Sequence, residues 1–227
     1  KKLAGWLHFM LEWICRADMY SSMPSSTDIV IIGAGMAGAS LASVLAASRS
    51  VLIIEAEEVA GYHATGRSAA FWQESYGGVG VQPLTSASER ALAHPDADFS
   101  EISFLRPRGA LVIGRQHEGG DVDNFQRRFA LRGVPVERLS QHQLKSRSIG
   151  LRPEWSEAAE EPSCRDIDVA ALHQAYLRDA KRKGARLVTG ATISSASFRS
   201  NTWQINTSAG TVTSPLVVNA AGAWADQ

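Results

Sequence analysis

Cysteine is almost missing from this chain: among 227 residues there are two, Cys15 and Cys164. So few, so far apart, they make neither a metal spacing nor a disulfide framework, and they suit a reducing compartment such as the cytoplasm. An excess of charge of either sign is also missing, because 23 Lys and Arg balance 23 Asp and Glu. No basic run and no basic stretch interleaved with aromatics stands out. These absences argue against nucleic acid or an anionic membrane as a partner. The six histidines do not cluster at ligand spacing, so no metal is expected. No internal repeat or low-complexity tract is present either. With 44% hydrophobic residues, the chain can bury a substantial core in one or two domains.

Against this background one stretch stands out. Asp28 to Ile32 reads as a short buried strand with apolar residues on both faces, followed by Gly33, Gly35 and Gly38 in a G-x-G-x-x-G pattern. Gly33 permits the tight turn and Gly35 lets the backbone approach a pyrophosphate. Gly38 lets the following helix, Met36 to about Ala47, pack on the strand. The helix start, at Met36, Ala37 and Gly38, offers unpaired N–H groups and a positive dipole end to phosphates. A second strand, Val51 to Ile54, ends on Glu55, twenty residues beyond Gly35, with Ala56 next. An acid there accepts hydrogen bonds from a ribose diol and repels a 2′-phosphate, which favours FAD or NAD over NADP.

The segment EVAGYHATGRSAAFWQESYGG, residues 58–78, follows directly. Arg67 brings a fork of donors suited to phosphate, Ser68 a hydroxyl, and the glycines a close backbone approach. Through GYHATGRSAA and the later NAAGAWAD the chain resembles the D-amino-acid oxidase and dehydrogenase family of FAD enzymes, which includes the glycine and sarcosine oxidases. Within it the likeness is strongest to the bacterial D-arginine dehydrogenase branch, and it runs from about Thr27 to the end of the chain.

The resemblance implies an α/β fold: a Rossmann-like FAD-binding domain of glutathione-reductase type, with part of a second, mixed-sheet substrate domain. It implies that Gly33, Gly35 and Gly38 hold the pyrophosphate and Glu55 the adenosine ribose. Arg67, Ser68 and Ala69 would run along the pyrophosphate toward the flavin ring. Ile193 would offer its backbone near the adenine, and Ala221 and Gly222 would approach the pyrophosphate from the other side. Plainer readings stand beside these, with Arg67 as a solvated loop arginine and Ala221–Gly222 as an ordinary strand exit. His63, Phe71 and Tyr76 are the candidates near flavin and substrate. His63 reads either as a polar contact or as a loop histidine, and the two aromatics as half core and half pocket wall.

The chain also departs from that branch. Phe71 stands where a polar histidine is expected, and Gly109 and Ala110 stand where an acid suited to a cationic substrate is expected. The substrate implied is then a neutral or apolar amino acid, or a secondary amine. The reaction implied is oxidation of the CH–NH bond by hydride transfer to FAD, with oxygen and a membrane quinone both open as the final acceptor. A flavoenzyme acting on a hydroxy acid or glycerol phosphate, and a catalytically incomplete FAD-binding fragment, are the alternatives.

Both ends of the chain are unusual. Leu3, Trp6, Leu7, Met10, Leu11 and Ile14 form one apolar helical stripe, too short to span a bilayer. Lys1 and Lys2 precede it as in a signal peptide, but His8 and Glu12 interrupt it and no small-residue cleavage site follows. A native start at Met23, or a peripheral helix on a partner or membrane surface, are the other readings. The chain stops at NAAGAWADQ, where a new strand-to-helix turn begins, so an N-terminal fragment is expected.

Between the ends, helices are predicted over Pro83–His94, Asp121–Leu131, Ser140–Ser146 and Asp168 to about Lys183, the third opened by a serine cap and the last stopped by Gly184. Phe125, Phe129 and Leu131 are candidate core residues. Strands are predicted over Ala110–Gly114, Arg186–Thr189, Thr192–Phe198, Thr202–Thr207 and Gly210–Thr213, returning to the parallel sheet through Leu216–Asn219. The domain division expected is 1–24 as an extension, 25–80 with 160–227 as the FAD-binding domain, and 81–159 as the start of the substrate domain.

Overall fold

A computed structural model describes residues 22–148 and 150–226. The apolar stripe of the first residues and Cys15 lie outside the described residues. In chain order the first elements are β1 (Ile29–Ile32), α1 (Met36–Leu45), β2 (Val51–Ile54), β3 (Phe71–Trp72), α2 (Gln82–Ala93), β4 (Leu105–Pro107) and β5 (Ala110–Arg115). Next come α3 (Gly119–Ala130), β6 (Glu137–Leu139), α4 (Gln141–Arg147), β7 (Trp155–Glu161), β8 (Arg165–Ile167) and α5 (Val169–Arg182). The last are β9 (Arg186–Val188), β10 (Ile193–Arg199), β11 (Thr202–Thr207), β12 (Gly210–Ser214) and β13 (Leu216–Asn219). The described residues form two compact units, one made of 22–68 together with 169–226, the other lying within Ala69–Asp168.

The first unit is built on a four-stranded sheet in the order β13-β1-β2-β9, parallel throughout. Its two central strands, β1 and β2, are apolar on both faces because both faces are covered. Ile29 and Ile31 of β1 and Val51 and Ile53 of β2 join Ala42 of α1, Ala46 at its C-cap and Ala180 of α5 in one cluster. The alternate residues Val30, Leu52 and Ile54 join Val188, Ile205 and Val212 in another, facing the antiparallel meander β10-β11-β12. The period of two along β1 and β2 thus divides one apolar run between two cores. Val30, Ile31 and Leu52 are wholly buried, each side chain contributing about 1.5–3 kcal/mol by removal from water.

Helix α5 ends as its sequence demands. Gly184, at φ +96°, takes the left-handed position, and the amides of Gly184 and Ala185 return to the carbonyls of Lys181 and Ala180 at 2.9 Å each. The same end carries a polar clasp to α1. Asp179, 5% exposed, accepts from Ser43 Oγ, Lys183 Nζ and Arg182 Nη2, each at 2.5 Å, and Lys183 also donates to the Ser43 carbonyl at 2.9 Å.

The second unit holds two three-stranded sheets, β5-β7-β6 and β3-β8-β4. A mixed sheet is expected for this part of the chain. All the ladders it forms among the described residues are antiparallel. Helix α3 covers the first sheet through Val122 and Phe129, with Phe125 half-buried beside them. Leu131 corrects the expected core: it is 88% exposed, because α3 ends at Ala130 and the chain has already begun to turn there. Ser140 caps α4 as predicted, accepting from the Gln143 amide at 3.3 Å. Cys164 is buried, and burial together with the Glu161 carboxylate pushes its thiol up, which suits packing and not nucleophilic chemistry.

The Asp179 clasp yields a pH prediction. Burial alone would raise its pKa, but hydrogen bonds from Lys183, Ser43 and Arg182 outweigh that and hold it below the ordinary value of 3.8. The carboxylate therefore contributes stability above the unfolded pKa, and that contribution is lost as pH falls through the lower folded one. Asp179→Asn should cost about 1–3 kcal/mol in urea unfolding at pH 7. The difference from wild type should shrink below about pH 4.

Candidate functional site

At the carboxyl end of β1 three backbones come together. A Cβ on Gly33 would lie 2.5 Å from the Ala220 carbonyl oxygen, and one on Gly38 would lie 1.9 Å from the Gly33 carbonyl oxygen. Gly33 has φ +98°, donates to the Ile54 carbonyl at 2.8 Å, and is flanked by the Ala220 amide donating to Ile32 at 2.8 Å. Neither position has room for a side chain, and Gly33 also needs a backbone that L-residues avoid. Gly35 forms the N-cap of α1 without a side-chain cap of its own, and no acid occupies the first turn. Met36 donates its amide to Thr65 Oγ1 at 2.9 Å, Ala37 is exposed, and Gly38 is buried. The result is a helix start whose first turn carries no acid of its own against the positive end.

Glu55, at the end of β2, adjoins this turn. Its Oε2 accepts the Ala34 amide at 2.7 Å and its Oε1 the Glu57 amide at 3.0 Å. Each oxygen keeps a lone pair, since an ionised carboxylate accepts about four hydrogen bonds. The Glu55 backbone bridges the exit of β9, donating to Val188 and accepting from Ala191 at 2.9 Å each, while Ala56 is exposed. Two residues beyond Ala191, Ile193 opens β10 and is half-buried against the cluster of Val188 and Ile205.

The segment 61–68 folds onto the same corner. Gly61, at φ +76°, accepts the Gly66 amide at 2.6 Å, and this tight turn delivers Thr65 to the Met36 amide. His63 donates from Nε2 to Glu57 Oε1 at 2.7 Å and lies against the Trp224 ring with centroids 4.3 Å apart. Arg67 and Ser68 are exposed, the Arg67 guanidinium 5.2 Å from the Tyr62 ring centre. On the opposite side, Asn219 accepts the Ala221 amide at 3.1 Å and donates to the Ala225 carbonyl at 2.7 Å, and Gly222 takes φ +60°. The structure therefore brings Gly33, Gly35, Met36, Ala37, Gly38, Glu55, Ala221 and Gly222 into one corner of the first unit, with the 61–68 loop beside them. Sequence reasoning missed Thr65, which meets the helix start, and His173 of α5, whose Nε2 lies 2.8 Å from the Ala34 carbonyl oxygen. The signal for His173 was its place beside Leu172 on the buried face of α5.

The remaining candidates belong to the second unit. Ala69 is exposed. Phe71, in β3, is 39% exposed and Tyr76 70%, their rings edge to face at 6.2 Å. Arg108 lies 5.4 Å over the Phe71 ring and pairs with Asp166 at 2.8 Å. The turn bearing Tyr76 is held from inside by Glu161, 2% exposed, which accepts the Glu74 amide at 2.8 Å and the Ser75 hydroxyl. Among the described residues no group of three His, Cys, Asp or Glu is placed to hold a metal ion, and no helix is long and apolar enough to cross a membrane.

Residues 28–227 match the model of DAO, FAD dependent oxidoreductase. The chain belongs to the DAO family. Solved structures with the same fold include glycine oxidase from Geobacillus kaustophilus, at 23% identity and TM-score 0.78 over 89% of this chain and 57% of that one. L-Proline dehydrogenase from P. horikoshii matches at 23% and 0.75 over 90% and 55%. L-Amino acid deaminase from Proteus vulgaris matches at 20% and 0.74 over 90% and 49%. This DAO chain thus spans about half the length of the structures it matches.

The glycine corner makes a steric prediction. Gly38→Ala puts a methyl against the Gly33 carbonyl and should destabilise the chain by about 1–3 kcal/mol in denaturant unfolding. Gly120→Ala, in a helix with nothing within 4 Å of the new Cβ, should be neutral or stabilising by about 0.5–1 kcal/mol. Equal effects would remove the close approach as the reason for Gly38.

Proposed function

We propose that this DAO-family chain carries the FAD-binding portion of an oxidoreductase that oxidises the CH–NH bond of a neutral or apolar amino acid or of an amine. The observation that carries the reading is the single corner formed by the glycine turn, the acid-free first turn of α1 and the Glu55 carboxylate. FAD fits it on three counts. The pyrophosphate needs backbone approach that a Cβ would fill, a positive helix end without a competing acid, and a carboxylate one strand away for the ribose diol.

Gly33, Gly35 and the amides of Ala37 and Gly38 would hold the pyrophosphate, with Met36, whose own amide goes to Thr65 Oγ1, fixing the turn beneath it and Ala221 and Gly222 on its other side. Glu55 would accept from the ribose with the lone pairs that Ala34 and Glu57 leave unused. Ile193 would offer its backbone near the adenine, a role supported by the tie between Ala191 and Glu55 two residues before it. Arg67, Ser68 and Ala69 are exposed donors and backbone following the Thr65 turn. When bound, FAD would supply the acceptor for a hydride from the carbon bearing the nitrogen; water would then split the resulting imine, to a keto acid and ammonia for a primary amino acid and to a carbonyl compound and the freed amine for an amine. His63 has its Nε2 proton committed to Glu57, so its part is to hold the loop.

Two observations support a neutral or apolar substrate over arginine. Phe71 and Tyr76 present apolar ring surface. A Cβ on Gly109 would meet the Glu160 carboxylate at 3.9 Å, and that carboxylate is paired with Arg147 at 3.2 Å. Glycine oxidase, L-proline dehydrogenase and L-amino acid deaminase are each named for an amino acid.

The test is incubation with FAD, gel filtration and a visible spectrum. A retained, shifted flavin band is expected, and Glu55→Ala should weaken FAD binding about tenfold, the value of one charge-assisted hydrogen bond. A colourless chain would reject FAD binding by these residues. Anaerobic bleaching should be faster with small neutral amino acids than with arginine or lysine.

A further inference from the structure

His173 is 3% exposed, yet it is polar and sits in the middle of the corner described above. A carbonyl has no proton to give, so the 2.8 Å contact between His173 Nε2 and the Ala34 oxygen fixes a proton on Nε2. In a helix continued backward by one residue, the Ala34 carbonyl would be the acceptor for the Gly38 amide. Here the first helical bond runs from Ala39 to Gly35 at 2.9 Å, and the Ala34 carbonyl is turned to the imidazole. The Ala34 amide is held from the other side by Glu55 at 2.7 Å. The peptide groups on both sides of this one residue are therefore pinned, one by Glu55 and one by His173.

The same ring meets the second loop of the corner. A Cβ on Gly61 would lie 2.8 Å from His173 Cε1 and 3.1 Å from Nδ1, so the glycine lets the loop press on the imidazole edge. Gly61 is also the anchor of the turn that carries Thr65 to Met36. One imidazole spans the distance between the glycine turn and the 61–66 loop.

We propose that His173 is a positioning residue of the cofactor corner: its Nε2 proton orients the Ala34 carbonyl away from Gly38, leaving that amide for a phosphate oxygen, and its edge sets the spacing of the Gly61 loop. The proposal rests on the FAD reading of this corner. A buried histidine that merely filled space would be replaced equally well by any side chain of similar volume. One that works through its donor would be replaced by glutamine, whose amide nitrogen reaches about where Nε2 stands, and not by leucine.

The experiment compares His173→Gln and His173→Leu in the 227-residue chain by FAD titration and, without FAD, by glycine-selective 15N spectra. Leucine should weaken FAD binding at least about tenfold, and glutamine should restore it to within about threefold. In the flavin-free spectra leucine should shift the Gly33, Gly35, Gly38 and Gly61 signals, and glutamine should bring them back toward wild type. If leucine does not fold, His173→Asn, whose donor falls one bond short, takes its place with the same expectation. Identical behaviour of the donor and non-donor variants in both measurements overturns the proposal. If wild type itself fails to bind FAD, the FAD reading falls, and the spectra alone then decide whether His173 positions the turn.

Discussion

The architecture of the first unit depends on the close approach of three backbones at the end of β1. Strand register makes that approach possible. Ile32 pairs with Asn219 on one side and with Ile54 on the other, so Gly33, Ala220 and Glu55 leave the sheet together at the carboxyl edge. A parallel sheet gathers its exits in this way, whereas an antiparallel one alternates them. Any side chain at Gly33 or Gly38 would separate β13 or α1 from β1, and the loss would fall on packing before it reached ligand binding.

Electrostatics at this corner follow from what is withheld as much as from what is supplied. The first turn of α1 has no acid, so its positive end is left for a ligand. Glu55 stands close by but aims its oxygens at the amides of Ala34 and Glu57, which orient the carboxylate and leave it lone pairs to spare. An anion on the helix start and a diol on the carboxylate are then compatible in one ligand. A lone phosphate would use only the first, a sugar only the second. The demand for both at this separation is what makes a dinucleotide the economical reading.

Much of this was legible because the residues concerned obey local rules. Val51–Ile54, Thr202–Thr207 and Leu216–Asn219 occupy the predicted ranges, their apolar or β-branched runs bounded by turn residues. The capped helix after Ser140 and the glycine stop at 184 are also local signals. What the sequence hid was of two kinds. Trp155–Glu161 forms the central strand of its sheet although it contains three glutamates, because Glu161 is satisfied by a turn far back in the chain and Glu157 by Arg138. Leu105–Pro107 and Arg165–Ile167 are too short and charged to show a period. In the candidate site, Thr65 and His173 escaped notice because their roles exist only where separate segments meet, 29 and 139 residues from their partners.

That separation bears on how the first unit is assembled. Its sheet takes β1 and β2 from before the inserted Ala69–Asp168 segment and β9 and β13 from after it. The entropy of closing such a loop grows only logarithmically with its length, each doubling costing about 0.6 kcal/mol, so the insertion itself is a modest burden. What must be supplied is a set of contacts specific enough to bring α5 back onto α1 in one register. Small residues alone, Ala42 and Ala46 against Ala180, allow a close approach but also allow sliding. The buried Asp179, bonded at once to Ser43 of α1 and to Lys183 of its own turn, removes that freedom, because a shift by one residue would leave a carboxylate buried without its donors. The same register sets where His173, less than two turns earlier on α5, meets Ala34. The register that the Asp179 contact fixes between the two helices is thus also the register that brings His173 to Ala34.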